Sequence, residues 1–363
     1  MIYLKKERVT ARDVAREAGV SPSTVSMILN NYKHIKFSEE TKNRVLETCE
    51  RLGYHPVGNS QFTSVAGKML MIVCPTLQNP HYINSIRGAQ QRAQELGYET
   101  IIFCTRRSKE EEANMVRACR ELRVAGVLLL YQPDNVTAYR QLNMENPVVQ
   151  LYEKSEKMDM TILELDNTKI GYLIAEHLIA LGHRRIAHVS LPLLKTQPSR
   201  QRRIDGIRRC MEDYGLDPAK CLRICTIDTE GIVVRSRIEG RETGHLIASK
   251  LLDEGINVTA FSATNDMVAY GIVDAIWERG RRIPQDYSVC GCDNLPDSSL
   301  RKISLTSIET YMVEKGWDAV ELLIQKIEVQ NAANLDRRDY VRVTRIEYAP
   351  QLIVRKSTGK CQN

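Results

Sequence analysis

The sequence predicts a small all-α helix-turn-helix headpiece followed by a larger α/β core of two doubly wound parallel-sheet subdomains. Two short helical patterns separated by a glycine occupy residues 10–31. From residue 69 onward, apolar strand-like runs alternate with amphipathic helical patterns, which is typical of parallel sheets covered by helices on both faces. A polar stretch with Gly and Ser at 55–68 separates the two regions. The 363 residues are enough for two or three domains.

The headpiece begins with clear helix start and stop signals. Thr10 is placed to cap a first helix, Asp13 stands three residues on as in a capping box, and Gly19 ends the helix in the left-handed region. Ser21 caps a second helix, with Pro22 in its first turn, where a missing N–H costs nothing. This pattern predicts a helix-turn-helix, the shape that DNA-binding proteins place in the major groove, although an ordinary helical hairpin has the same pattern.

A third helix is predicted from the cap Ser38 to Gly53, with an apolar face that includes Val45, Leu46 and Cys49. Residues 1–68 carry 11 Lys and Arg against 7 Asp and Glu, whereas the remaining residues carry 40 against 38. This concentration of positive charge favours a polyanionic partner for the headpiece. A solvated basic face would give the same count.

The core contains two series of strand-like runs. The first comprises 69–74, 99–104, 125–131 and 147–152, and the second begins at 161–165 and ends near 287–292. Two such sheets would leave a crevice at the carboxyl ends of their strands, where α/β proteins bind ligands. A strand at 303–308 and a helix at 311–328 follow after the second series is complete. The chain is therefore expected to cross back to the first sheet.

The ten cysteines are scattered through predicted strands and helices. The close pairs Cys221/Cys225 and Cys290/Cys292 lack a second pair or a His cluster at zinc-site spacing, so free thiols in a reducing compartment are expected, with no metal and no cofactor. The N-terminus lacks the apolar segment of a signal peptide, and no apolar run approaches membrane-spanning length. A soluble cytoplasmic protein without a membrane partner is therefore expected.

Several stretches occur in an order and spacing that are typical of one protein family. They read TARDVAREAGVSPSTVS, SEETKNRVLETCERLGYHP, NPHYINSIRGAQQRAQELGY, GYLIAEHLIALGHRRIA, RRIDGI, ATNDMVAYG, IPQDYSVCGCDN and PQLIVRKST. In these stretches the chain resembles the LacI/GalR family of bacterial transcription regulators over nearly its whole length. The resemblance implies a DNA-binding headpiece, a hinge, a core like that of periplasmic sugar-binding proteins, and a homodimer that reads a pseudo-palindromic operator in double-stranded DNA.

The resemblance also implies domain boundaries. Residues 1–56 would form the headpiece, 57–68 the hinge, and 69–363 the effector-binding and dimerisation core. Within the core, the first subdomain would comprise about 69–162 plus 296–325, and the second about 163–295 plus 326–357.

The resemblance places the second helix of the headpiece in the major groove. Pro22, Ser23 and Met27 would occupy base-reading positions. The phosphate and groove-edge contacts, which position the protein without reading sequence, would come from Ser21, Thr24, Ser26 and Asn30. Met27 departs from the Arg or His that is common in the family, so a bidentate contact to guanine is replaced at best by an apolar contact to a thymine methyl.

The segment after the headpiece departs further from the family pattern. Many members carry a hinge helix that inserts a Leu into the minor groove, and here Thr63 aligns with that Leu. Asn59 lies in the same hinge segment, and Phe62 precedes Thr63. Gly58 weakens helix formation by about 1 kcal/mol relative to Ala. Phe62 could serve as a wedge between bases, and a plain linker is the alternative.

In the core, the resemblance implies an effector site between the two subdomains, with contacts from Asn79, His81, Tyr82, Arg203, Asn265 and Asp293. Arg203 and Asp293 can each form paired hydrogen bonds to vicinal hydroxyls, and Tyr82 offers a flat face to a sugar ring. The alternatives are structural. Arg203 and Asp293 could pair across the cleft as a latch, Asn265 could cap a helix, and Tyr82 could pack in the core.

The sequence therefore predicts a DNA-binding transcriptional regulator, a repressor controlled by a small effector that is most simply a sugar. An enzyme is not expected, because CPTLQNPH after the first strand is not a phosphate-binding Gly loop and His177, His183 and His188 lack metal-site spacing. A transport solute-binding protein would share the core fold, but it would carry an export signal and no headpiece.

Overall fold

The computed structural model describes residues 10–29, 37–52, 68–152, 160–194, 197–228, 230–231, 240–332 and 343–362. The chain divides into two compact units, Met1–Ala66 and Gly67–Asn363. No helix among the described residues is both long and apolar enough to cross a membrane.

The first unit contains three helices within its described residues: α1 (Ala11–Ala18), α2 (Pro22–Leu29) and α3 (Glu39–Leu52). The expected start and stop signals are present. Gly19 ends α1 at φ 66° and ψ 36°. The Ser21 hydroxyl accepts a hydrogen bond from the Thr24 backbone N–H at 3.0 Å, which caps α2. At the start of α1, the backbone N–H and the hydroxyl of Thr10 both donate to the carboxylate of Asp13.

The three helices enclose a small apolar core. Its buried side chains are Val14, Ala15, Ala18, Val25, Val45 and Cys49. Leu46, expected on the apolar face of α3, is instead 49% exposed, and Thr48 is buried in this stretch. The Thr48 hydroxyl donates to the Arg44 carbonyl at 2.7 Å, which satisfies a polar group that burial would otherwise penalise.

The second unit contains a six-stranded parallel sheet among its described residues. Its strands, numbered in chain order, are Met69–Cys74 (β1), Glu99–Cys104 (β2), Gly126–Leu129 (β3), Val148–Tyr152 (β4), Thr161–Leu165 (β5) and Arg345–Tyr348 (β11). They lie in the order β11-β5-β4-β3-β1-β2. The sheet is covered by the helices Pro80–Glu95 (α4), Lys109–Leu122 (α5), Val136–Glu145 (α6) and Met312–Ala332 (α12).

The inner strands β1, β3, β4 and β5 are buried on both faces, which explains their largely apolar sequences, whereas the edge strands β2 and β11 are partly exposed. Leu70 and Ile72 pack in a cluster with side chains of α4 and α12. Met71 and Val73 pack in a second cluster with side chains of α5 and α6. Successive side chains of β1 therefore point to opposite faces of the sheet and pack in two different hydrophobic clusters.

A four-stranded parallel sheet follows in the order β7-β6-β8-β9. Its strands are Ile186–Val189 (β6), Leu222–Cys225 (β7), Ala260–Ala263 (β8) and Ser288–Cys290 (β9). Its helices are Asn167–Ala180 (α7), Pro198–Asp213 (α8), Pro218–Cys221 (α9), Gly240–Asp253 (α10) and Asp266–Glu278 (α11). A 3-10 turn at Pro296–Ser299 follows β9. Two short strands, Ser307–Glu309 (β10) and Gln351–Ile353 (β12), form a separate antiparallel pair.

The placement of two strands corrects the sequence-based assignment. The strand at 161–165 was expected to open the second series, but β5 belongs wholly to the first sheet and pairs with β4. The stretch 326–357 was expected in the second subdomain, but β11 pairs with the far side of β5. For 161–165, the apolar run shows that the strand is buried and carries no information on which sheet it joins. For 326–357, the boundary that the resemblance implied did not include the return of β11 to the first sheet. The expected return of the late helix to the first sheet is confirmed, because α12 packs on α4, β3 and β4.

Three pairs of helices approach each other through reciprocal glycines. A Cβ on Gly88 of α4 would lie under 3.0 Å from the Val313 carbonyl of α12, and one on Gly316 of α12 would meet the Ser85 carbonyl of α4 in the same way. The pair α7–α8 uses Gly171 and Gly206, and the pair α10–α11 uses Gly244 and Gly271. In each pair the backbone carbonyl of one helix fills the space that a side chain would need on the other. We call these contacts glycine notches.

Candidate functional site

The outward side of α2 carries the described residues that the sequence assigned to DNA. Pro22, Ser23 and Ser26 are exposed, as is the capping Ser21, whereas Thr24 and Met27 are half-buried. The Ser21 hydroxyl is hydrogen-bonded to those of Ser23 at 2.8 Å and Thr24 at 2.9 Å. Short hydroxyl side chains allow a helix to approach a phosphate backbone closely. Asn30 and the hinge residues Asn59, Phe62 and Thr63 lie outside the described residues.

In the second unit, a cavity of about 110 Å³ lies at the carboxyl ends of strands from both sheets. This volume is several times the ~15 Å³ that a single water requires. All six residues that the sequence assigned to an effector contribute to its lining: Asn79, His81, Tyr82, Arg203, Asn265 and Asp293. The fold thus brings together residues that are spread over more than 200 positions.

A hydrogen bond between His81 and Asp293 joins the two sides of the cleft. His81, near the start of α4, has its Nδ1 3.0 Å from the Oδ1 of Asp293, which follows β9 in the second sheet. Asp293 is 3% exposed and has a φ of 131°, an unusual conformation for a non-glycine residue. The strain is retained where it aims the carboxylate at the opposite wall.

Arg203 takes other partners. Its Nε donates to the Asn167 side-chain oxygen at 2.9 Å, and its Nη1 donates to the Thr264 backbone carbonyl. The proposed latch between Arg203 and Asp293 is therefore wrong for this structure, and the side chain that reaches Asp293 across the cleft is His81. Asn167 and Thr264 hold the guanidinium in place at the cavity wall.

Two of the lining asparagines are helix caps. The Asn79 side chain accepts from the His81 N–H at 2.9 Å at the start of α4, and the Asn265 side chain accepts from the Val268 N–H at 2.9 Å at the start of α11. The capping alternative for Asn265 is thus confirmed, and it does not remove the residue from the cavity. Each cap uses the amide oxygen, so the NH2 group remains as a second hydrogen-bonding group.

An aromatic group forms much of the wall on the side of the first sheet. The His81 ring lies 4.4 Å from the Tyr152 ring and 5.4 Å from the Tyr82 ring, measured between centroids. Tyr82 also packs against the first core, so the same side chain lines the cavity and contributes to packing. Tyr152 has a φ of 78° and is hydrogen-bonded to the Ser85 hydroxyl.

Beneath this aromatic wall lies a buried amine. Lys315 of α12 is fully buried, and its Nζ sits 4.2 Å from the centroid of the Tyr152 ring. Burial lowers the pKa of Lys315 to about 7, against the opposing effect of the Asp293 carboxylate. Its Nζ has no hydrogen-bond partner among the described residues.

Sequence reasoning missed several lining residues. Those that carry polar or aromatic groups are Arg107, Tyr131, Tyr152, Asn167, Gln197, Ser199, Arg200 and Thr264. Tyr152 ends β4, and Arg107, Tyr131 and Asn167 each follow a strand of the first sheet within three residues. Because ligands bind at the carboxyl ends of strands in such sheets, the position just after each apolar run was a usable signal.

Comparison with known proteins agrees with this architecture. The sequence model of the lacI family of bacterial regulatory proteins matches residues 10–57, and that of the periplasmic binding protein-like domain matches residues 175–358. The HTH-type transcriptional regulator DegA of Bacillus subtilis is 28% identical over 359 residues, covering 97% of this chain and 98% of DegA. The HTH-type transcriptional repressor PurR of Mannheimia succiniciproducens is 29% identical, covering 97% and 99%.

Among solved structures, the lac repressor dimer bound to operator and the anti-inducer ONPF superimposes with a TM-score of 0.68 at 25% identity, covering 97% of this chain and 100% of that one. The fold and the family matches together define a regulator with a helix-turn-helix and a periplasmic-binding-protein-like core. The chain belongs to the LacI family of bacterial regulatory proteins.

Proposed function

We propose that this protein is a transcriptional repressor that binds operator DNA through α2 and releases it when a small polyhydroxylated effector occupies the cleft between the two sheets. The observation that carries the proposal is a cavity lined from both sheets in a chain that also has a helix-turn-helix. As proposed boundaries, residues 1–56 form the headpiece, 57–68 the hinge and the rest the effector core.

The proposed control is linkage between two binding sites. An effector that contacts both walls favours one relative position of the two subdomains, and a ligand shifts an equilibrium only by its differential affinity for the two states. His81 and Asp293 already join the walls, so an effector would act on that contact. In a homodimer this movement would change the separation of two recognition helices, which must lie about 34 Å apart to meet successive major grooves.

The relatives support this assignment. DegA and PurR are named as a transcriptional regulator and a repressor, and the lac repressor structure contains a dimer on operator DNA. A solute-binding protein of a transport system, the other candidate with this core, is disfavoured because residues 10–57 match the lacI family. A DNA-bound repressor would act in the cytoplasm.

The test combines DNA selection with an effector screen on the full chain. Selection from a random duplex library should enrich a pseudo-palindromic site, and a thermal-shift panel of sugars and sugar phosphates should identify a ligand, since a ligand at 100 times its Kd stabilises by about 2.7 kcal/mol. That ligand should then weaken binding to the selected duplex. A rise in duplex affinity would indicate a co-repressor, and absence of any enriched site would refute the proposal.

Arg203→Ala is expected to abolish the effector response while leaving the affinity for the selected duplex unchanged at the same salt. Fluorescence anisotropy of the labelled duplex, with and without effector, measures both quantities. The matched control is Arg202→Ala, which removes a neighbouring arginine of α8 that does not line the cavity. A normal response in Arg203→Ala would remove this residue from the effector site.

A further inference from the structure

The charges around the cavity are unbalanced. Three arginines, Arg107, Arg200 and Arg203, contribute to its lining, and Asp293 is the single acidic side chain among the described residues that do so. The carboxylate of Asp293 is 3.0 Å from the His81 ring nitrogen. The acid therefore serves the contact between the walls rather than an arginine.

Two of these guanidinium groups are held by neutral groups. Arg203 donates to an amide oxygen and a backbone carbonyl, as described above. The Arg107 guanidinium lies 4.8 Å from the centroid of the Tyr131 ring. The Arg107 Nη1 is buried and has no hydrogen-bond partner among the described residues. These contacts fix the positions of both cations without neutralising their charge.

Arginines elsewhere in the core have carboxylate partners. Arg120 pairs with Glu145 at 2.7 Å, and Arg279 pairs with Asp253 at 2.7 Å. These pairs lie at the surface, where an unpaired arginine would cost little because water solvates it. In the cavity, by contrast, Arg107 and Arg203 have neutral partners although both side chains are partly removed from water, where a charge without a counter-charge costs more than at the surface. Such an arrangement is typical of a site whose missing counter-charge arrives with a ligand.

The backbone adds to the positive potential. Helices α4, α8 and α11 begin at the cavity, with their capping residues Asn79, Gln197 and Asn265 in its lining. The N-terminus of a helix carries a partial positive charge and unpaired N–H groups, which favour anions. The dipoles and the arginines therefore act in the same direction.

We propose that the effector is a sugar-sized polyhydroxylated molecule that carries an anionic group, either a carboxylate or a phosphate. The inference rests on the proposed function, since it takes the cleft to be the effector site. Arg107 and Arg203 bind the anionic group, and the aromatic wall of His81, Tyr82 and Tyr152 contacts the ring. A neutral sugar would leave the arginines desolvated without a counter-ion, which opposes its binding.

The experiment uses matched ligands on the full chain. D-glucose, D-glucuronate and glucose 6-phosphate form one series, and D-ribose, D-riburonate and ribose 5-phosphate form another. Isothermal titration should show an anionic member binding at least about tenfold more tightly than its neutral counterpart, the effect of one charged hydrogen bond. The carboxylate and phosphate arms identify which anion the site takes. The affinity of the protein for the anionic ligand should also fall as the NaCl concentration is raised.

Three variants connect this preference to the cavity. Arg107→Gln should weaken the anionic ligand about tenfold or more and leave the weak binding of its neutral counterpart unchanged, whereas Arg107→Lys, which keeps the charge, should recover part of the loss. Arg87→Gln, which removes an exposed arginine of α4 outside the cavity, should have no effect. The melting temperature of each variant without ligand verifies that it folds.

Two results would overturn the inference. One is a neutral sugar that binds as tightly as its anionic counterpart, and the other is a panel in which no anionic member binds. A neutral sugar that binds and also weakens duplex binding would leave the proposed function intact. A chain that binds none of the selected DNA would contradict the proposed function instead, so the two failures are distinguishable.

Discussion

The outward surface of α2 and the core cleft are both candidate binding surfaces, but they are built in opposite ways. On α2, Ser21 is hydrogen-bonded to side chains two and three positions away, and these groups are largely exposed. In the cleft, Arg203 reaches partners 36 and 61 positions away, and His81 reaches one 212 positions away. The helix surface is thus complete once one helix forms, whereas the cleft exists only in the folded core.

This difference predicts which changes should damage each surface. A substitution that alters packing within the core should disturb the cleft and leave α2 intact, and loss of a local cap should affect α2 alone.

The largest effect is expected for Gly171→Ala in α7. Its Cβ would lie under 3.0 Å from the backbone carbonyl of Arg203, so α7 and α8 would have to separate. We expect the core to lose about 3 kcal/mol or more of unfolding free energy, at the upper end for overpacking. Because Arg203 itself would move, effector affinity should also fall. Urea unfolding and ligand titration measure the two effects.

Gly215→Ala is the control for this substitution. Gly215 has a φ of 69° but no atom within 4 Å of its added Cβ, so alanine there is strained without any clash. It should cost about 1–2 kcal/mol and leave effector affinity unchanged. Equal effects of the two substitutions would show that the notch at Gly171 does not control the position of Arg203.

A smaller effect on the unfolding free energy is expected when the pH is lowered, because of His188 in β6. This side chain is 1% exposed, and burial, aided by the positive charge of Arg203, lowers the pKa of His188 to about 3. Above pH 6.5 the histidine is neutral in both the folded and unfolded states. As the pH falls below 6.5 the unfolded chain takes up a proton that the folded chain refuses, so stability falls by about 1.4 kcal/mol per pH unit.

Between pH 6.5 and 5 the wild-type core should therefore lose about 2 kcal/mol through His188. His188→Asn should lack this part of the loss, while the contributions of other titrating groups remain. Urea unfolding at the two pH values gives the comparison. Parallel pH dependence in the two proteins would show that His188 takes up a proton as readily in the folded core as in the unfolded chain.

The smallest effect is expected for Ser21→Ala at the start of α2. It removes the acceptor for the Thr24 N–H, at a cost of about 1 kcal/mol to the helix, whereas Ser21→Gly should cost only a few tenths. Hydrogen exchange at the amides of Thr24 and Val25 in the full chain should quicken about fivefold for alanine. Ser23→Ala, which removes a neighbouring hydroxyl that is not the cap, should leave this exchange unchanged. A fivefold rise in the exchange rate of these amides in Ser23→Ala would contradict the assignment of Ser21 as the cap.

The same local and non-local division explains how much the sequence could predict. The caps at Ser21 and Asn265 depend on neighbours within three residues, so they were visible in the sequence. The contact of His81 with Asp293 depends on how two sheets face each other, and no local pattern contains it. The family resemblance gave six of the cleft residues but not their pairing. Arg107 lies in a loop, where no periodicity marks a residue, and its position three residues after β2 was a signal that was not used.

The sheet assignments failed for a related reason. Hydrophobic pattern identified β5 as a buried strand, but a strand joins a sheet through backbone hydrogen bonds that are the same for every sequence, and β11 was not predicted at all. The topology therefore depends on where the connecting helices pack, and α12 packs on α4 through the notch between Gly88 and Gly316. A pair of small residues in two predicted helices was a signal that could have placed them together.

The glycine notches restrict how the core can move. With a carbonyl of one helix seated in the backbone of its partner, α4 cannot slide along α12, nor α7 along α8, nor α10 along α11, without a steric collision. Sliding of one helix along its partner is thereby blocked, and a large conformational change of the core must occur at other parts of the chain. Rotation of one sheet and its helices relative to the other would then take place in the chain segments that connect them. These segments are 165–166, 290–312 and 348–351. The two sheets, each with its notched helix pairs, are therefore expected to rotate relative to each other about these three connecting segments.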